Sequence, residues 1–397
     1  MRIAQTTYST RPRGGVVHTL ALAEALAARG HQVTVWTLGR GGDDAFFRPV
    51  DPSVEVRVVP FAPRDDESVG DRIERSIQVM AAAFDPAGYD VVHAQDCISA
   101  NALFAPAAPR SDAGTGAAPP LVRTVHHLDD FTTPRLVECH QQAILRPDAR
   151  LCVSRAVADE VRDGYGLEPT VIPNGVDAAR FARAAGPDGA EARARWRAEL
   201  GRYVLALGGI EPRKGSIDLL DAFALLRDDH PDLSLVLGGG ETLFDYRPYR
   251  ARFDERCAEL GIEPVVLGTL ADDDVPTLVA AADALGFVST KEGFGLAAME
   301  ALAAGVPVVA RDLPVTREVF GPAVAYATDV PGIAAALAAA VDGTLPVDAA
   351  AGRALAARHS WAGAAAAHER FYERVVREGG DGGHELDLTD RQPARRG

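Results

Sequence analysis

Short apolar runs alternate with helical patterns along nearly the whole chain, and they do so in two consecutive series. A parallel strand needs a crossover helix before its neighbour can begin, so this rhythm predicts parallel α/β sheets. The first series places strands at 2–7, 32–36, 54–59, 91–94, 121–125, 149–153 and 170–172, with clear helices at 16–29 and 156–162. Residues 107–120 are rich in Ala, Gly and Pro and read as an exposed loop. After Asn174-Gly175-Val176-Asp177 the second series places strands at 203–207, 233–237, 265–267, 284–288, 306–310 and 324–326. A last long helix is expected at 361–377. With 397 residues, two doubly wound domains can each bury a core. The expected domains are 1–178 and 179–360, followed by a helix at 361–378 and a disordered tail at 379–397.

The formal net charge of −15 argues against nucleic acid and against an anionic membrane surface. Lysine occurs only at 214 and 291, and both positions fall inside candidate motifs. Cys97, Cys139, Cys152 and Cys257 are scattered without metal-ligand spacing, as reduced thiols would be. The N-terminus opens on a strand-like segment instead of a signal sequence, and no apolar run is long enough to span a bilayer. A cytoplasmic location is expected.

The most informative stretch runs from Lys291 through Glu292-Gly293-Phe294-Gly295-Leu296 to Met299-Glu300. It follows a buried strand and opens a small-residue helix. Phe294-Gly295-Leu296 is expected to form the first turn. Its unpaired N–H groups suit a diphosphate, and glycine lets an anion approach the backbone. Glu300, inside the helix, could accept two hydrogen bonds from a ribose diol. Glu292, ahead of the helix, would face whatever the phosphates carry.

Other strand ends point the same way. Gly14 and Gly15 lie between the first strand and the first helix, where open α/β sheets place their ligand crevice. They form no dinucleotide fingerprint. His126 and His127 end a strand ahead of Asp129 and Asp130. A third ligand at metal spacing is missing, so a neutral histidine donating to a substrate hydroxyl is the better reading. Arg213 and Lys214 precede a helix, which conflicts with the helix dipole unless an anion lies between them. Lys214 would act as a point charge and Arg213 as a fork on phosphate oxygens. Leu237 to Glu241 and Gly268 to Leu270 end two further strands. Asp272, Asp273 and Asp274 read as a helix N-terminal charge cluster.

These residues resemble the retaining glycosyltransferases of family 4, which have the GT-B architecture of two Rossmann-like domains facing across a cleft. The most specific element is Glu292 and Glu300 in an E-x7-E pattern around Gly293-Phe294-Gly295. Support comes from Gly14-Gly15, His126, residues 172–177, Arg213-Lys214-Gly215 and residues 305–309. The resemblance covers most of residues 1–378 and implies transfer of a sugar from a nucleotide-diphosphate sugar, commonly a UDP-sugar. A soluble small-molecule or glycan acceptor is expected, with no metal and no other cofactor. It implies that Glu300 holds the ribose and that the backbone of Phe294, Gly295 and Leu296 cradles the diphosphate. Glu292 would contact the donor sugar, Lys214 the leaving diphosphate and His126 the transferred sugar. Gly14 and Gly15 would close on donor and acceptor, and Gly268 and Leu270 would contact the base. Family members often have Arg where this chain has Gly209, and Arg213 is the candidate replacement. A non-catalytic nucleotide-sugar binder and another GT-B enzyme, such as a sugar-nucleotide epimerase, are the alternatives.

Overall fold

The computed structural model describes residues 1–65, 67–104, 118–129, 131, 133–240 and 247–379. Most of the expected loop at 107–120, Asp130, Glu241 and the tail beyond Gly379 lie outside the described residues. The chain forms two compact units. Unit 1 holds residues 1–175 and the C-terminal segment from Trp361; unit 2 holds Val176–Ser360.

Unit 1 contains β1 (Arg2–Thr7), β2 (Gln32–Arg40), β3 (Val54–Phe61), β4 (Val91–Ala94), β5 (Leu121–Val125), β6 (Ala149–Cys152) and β7 (Thr170–Val171). They form one parallel sheet in the order β3-β2-β1-β4-β5-β6-β7. The order reverses between β1 and β4, a topological switch point that opens a crevice beyond the strands' carboxyl ends. All four residues of β4 are buried, as expected for a strand covered by helices on both faces. Helix Gly14–Ala27 begins two residues earlier than expected, so Gly14 and Gly15 form its first turn instead of a preceding loop. Helix Trp361–Gly379 packs beside it, adding Ala365, Phe371, Tyr372 and Val375 to the core around Ile3, Leu20 and Val91.

Unit 2 contains β8 (Arg202–Leu207), β9 (Leu233–Gly238), β10 (Val265–Gly268), β11 (Ala284–Phe287), β12 (Val308–Arg311) and β13 (Ala325–Ala327). Their parallel order is β10-β9-β8-β11-β12-β13, with the reversal between β8 and β11. β12 starts two residues later than expected because Pro307 offers no N–H to the ladder. Leu219, Leu220, Phe223, Leu235 and Leu337 fill the core of this unit.

Candidate active site

In unit 2 the carboxyl ends of β8 and β11 lie side by side at the switch point, and both carry candidate residues. After β8 the chain makes a tight turn at Pro212–Lys214 and enters helix Ser216–Leu226 through Gly215. Gly215 has φ +65°, and a Cβ there would lie 2.4 Å from the Val288 carbonyl oxygen. That approach brings the turn against the loop following β11. The Thr290 N–H donates to the Arg213 carbonyl at 2.8 Å and ties the two turns together.

The side chains converge at this junction. Lys214 Nζ donates to Glu292 Oε2 at 3.0 Å, and an Arg213 guanidinium nitrogen lies 3.5 Å from the same oxygen. Arg213 also donates to the Lys291 carbonyl at 3.3 Å. Two cations therefore meet at one carboxylate oxygen. Gly208 lets the Lys214 stem lie flat on the backbone, since a Cβ there would stand 3.2 Å from Cε.

Beyond Glu292, helix Leu296–Ala304 starts two residues later than expected. Gly295 is its left-handed cap, at φ +94°, and Phe294 lies ahead of it with its side chain buried. A Cβ at Gly295 would lie 2.6 Å from Phe320 and 3.0 Å from Phe287, so only glycine fits both the torsion and the space. The first turn carries no side-chain cap. Its N–H groups are thus available to an anion. Glu300, one turn further along, is partly buried and makes no hydrogen bond or ion pair among the described residues. Burial pushes its carboxyl up to about 7, with Arg180 opposing the shift and Asp272 adding to it.

Asp272 does not cap the following helix, whose start has no side-chain cap. It pairs with Arg180 at 2.7 Å, and Asp273 lies 3.6 Å from the same guanidinium. The three carboxylates stand ahead of helix Val275–Ala281 as expected, with Asp274 at its N-cap position. Gly268 takes φ +68°, its carbonyl accepts from Gly239 N–H at 2.8 Å, and Leu270 packs over Gly238. Gly209 is confined as well: a Cβ there would lie 2.7 Å from the Gly240 carbonyl oxygen. This crowding is the physical reason that a side chain is missing at that place.

In unit 1, His126 follows β5 and its ring lies 3.8 Å from where a Gly15 Cβ would be. Its Nε2 is 3.3 Å from Gln95 Oε1, and its ring meets His18 edge-on with centroids 4.8 Å apart. Burial, then the charge of Arg123, holds His126 well below the usual histidine range, so the ring is neutral at pH 7. His127 turns to Asp129 at 3.1 Å. Among the described residues no group of three His, Cys, Asp or Glu has the arrangement of a metal site.

Residues 12–180 match the family described as Glycosyltransferase Family 4, and residues 190–346 match Glycosyl transferases group 1. The phosphatidyl-myo-inositol mannosyltransferase of Mycobacterium tuberculosis is 32% identical, over 94% of this chain and 96% of its own. The chain belongs to glycosyltransferase family 4. The D-inositol 3-phosphate glycosyltransferase of Salinispora arenicola, another relative, is 30% identical over 76% of this chain and 72% of its own. Among solved structures, Anabaena HepE in complex with UDP and glucose superposes with a TM-score of 0.70. It is 21% identical over 94% of this chain and 99% of its own, a likeness of GT-B fold.

For this family 4 protein, sequence reasoning missed the support beneath His126. His18 Nδ1 lies 2.9 Å from Asn174 Oδ1, while His93 bridges Tyr372 OH at 2.6 Å and Thr124 Oγ1 at 2.7 Å. Polar residues recurring in strands that should be wholly apolar were the available signal: Gln5 in β1 and His93 in β4.

Proposed function

We propose that this glycosyltransferase moves a sugar from a nucleotide-diphosphate sugar to a hydroxyl of a soluble acceptor, with retention at the anomeric carbon. The observation that carries the reading is the convergence of Lys214 and Arg213 on Glu292 at the unit 2 switch point, beside a helix with no side-chain cap and Glu300, which has no partner among the described residues. Lys214, Arg213 and the first turn of helix Leu296–Ala304 hold the leaving diphosphate. They supply its positive charge from the protein, so the reaction runs without a metal. Glu300 accepts from the ribose diol, and the loop at Gly268 and Leu270 meets the base. Glu292 orients the donor sugar.

Unit 1 receives the acceptor, with His126 beside the transferred sugar and Gly14-Gly15 at the mouth of its crevice. The bond from the anomeric carbon to the diphosphate oxygen breaks as the acceptor oxygen bonds to that carbon on the same face. The acceptor proton passes to the departing phosphate oxygen. A preorganised cationic seat for the leaving group is the principal contribution of the protein. Two relatives are named for inositol-containing acceptors, which supports a polyol. The superposed HepE complex holds UDP and glucose, which supports a UDP-sugar. A thermal-shift screen against UDP-, GDP- and ADP-sugars identifies the donor, and NMR of the product then reads its anomer. An inverted product, or a melting point unmoved by every donor, contradicts the proposal.

A further inference from the structure

β5 carries a residue that a buried parallel strand should not contain. Val122, Thr124 and Val125 are sealed from solvent, and Arg123 between them is only 6% exposed. Its Nε and one terminal nitrogen are buried without a hydrogen-bond partner, and it enters no ion pair among the described residues. A guanidinium cannot shed its charge, and it carries five donors and no acceptor. Such a group is normally buried only against a carboxylate or phosphate, commonly two-pronged.

The carboxylates in its field are committed elsewhere. Asp96 holds the N–H of Tyr8 at 2.9 Å and that of Ser99 at 2.7 Å, at the start of helix Cys97–Phe104. Asp129 contacts the ring of His127 at 3.1 Å. They balance the charge of Arg123 through space and leave its N–H groups unmet.

We propose that Arg123 is the anchor of an oxyanion subsite in unit 1, which takes a phosphate or carboxylate carried by the acceptor. Assigning the anion to an acceptor rests on the glycosyltransferase reading; the subsite itself does not. Arg123 stands three residues before His126, and its charge is felt at that ring.

The test uses the full chain without donor, in Lys214→Ala so that the unit 2 seat is weakened. Melting points are measured in sodium chloride, sodium phosphate and sodium acetate at equal ionic strength, with and without Arg123→Met. Phosphate or acetate should raise the melting point by about 2 °C or more when Arg123 is present. Arg123→Met should lose that gain, and in chloride it should melt higher than its parent because an unmet buried charge has gone. Should Arg123→Met fail to fold, Arg123→Lys keeps the charge without the fork and should respond less to both anions. An equal response with and without Arg123, or none in either protein, overturns the subsite. Because no donor or turnover enters the measurement, that failure leaves the proposed reaction standing.

Discussion

Lys214 Nζ lies 3.0 Å from Glu292 Oε2, joining the turn after β8 to the loop after β11 across the switch point of the unit 2 sheet. Both side chains are partly exposed, so the pair adds little to stability. Its value is in positioning. In the proposed reaction each residue holds the other beside the sugar–phosphate bond, and the entering diphosphate takes over the lysine.

Glu300 should make donor binding depend on pH. Its carboxyl, pushed up to about 7 by burial, is a stronger acceptor for both hydroxyls of a diol once ionised, since both oxygens then only accept. A nucleotide-diphosphate sugar, whose phosphates do not titrate near neutrality, should bind roughly tenfold more weakly at pH 6 than at pH 8 by calorimetry. Glu300→Gln should bind weakly at both. The stability effect has the opposite sense: an acid raised above its unfolded value loses folded-state stability as pH climbs from about 4.5 through 7. Without ligand, Glu300→Gln should therefore melt higher than wild type at pH 8 and alike at pH 4.5.

The histidines of unit 1 should set its acid limit. His18, His93 and His126 are held well below the usual value, and burial lowers His368 to about 4. A base depressed on folding contributes stability above its unfolded value near 6.5, and that stability is lost as pH falls. The melting point should drop steeply between pH 6.5 and 4. His368→Met should shallow the slope; an unchanged slope would count against this ring.

Tyr372 should matter more than its distance along the chain suggests. Its hydroxyl meets His93 Nδ1 at 2.6 Å inside the unit 1 core. Tyr372→Phe removes the shorter of its two contacts and leaves Gln95 Nε2 at 3.3 Å, at a cost of about 1 kcal/mol in urea unfolding. Truncation before Trp361 should prevent folding of unit 1, and a cooperative transition in the truncated chain would contradict this.

The position where family members often place arginine should not accept one here. A Cβ at Gly209 meets the Gly240 carbonyl oxygen at 2.7 Å, so Gly209→Arg must displace backbone. It should destabilise by about 1–3 kcal/mol and bring no gain in turnover. A stable, faster Gly209→Arg would show that Arg213 does not replace the missing cation.

Where the physics is local and periodic, the fold was legible. Strands such as Ala284–Phe287 are uninterrupted apolar runs, and parallel sheets buried on both faces demand just that. Their order was not written in any one segment. The reversal between β8 and β11 depends on how helices pack over the sheet, yet it is what brings Lys214 beside Glu292. Element starts slipped where a glycine serves as cap or first turn, at Gly295 and Gly14. Glycine tolerates both roles, so its presence alone does not choose between them. The ion pair of Asp272 could not be read locally because its partner, Arg180, lies 92 residues away in sequence. Arg123 and His93 were passed over inside their strands, since period-based reading treats an isolated polar residue there as noise.

The most direct test of the central claim is turnover of Lys214→Ala at saturating donor, measured beside wild type as sugar transferred per unit time. A cationic seat for the leaving diphosphate predicts a loss of about a hundredfold, equivalent to roughly 3 kcal/mol of transition-state stabilisation, in a variant that still folds. Turnover close to wild type would contradict it.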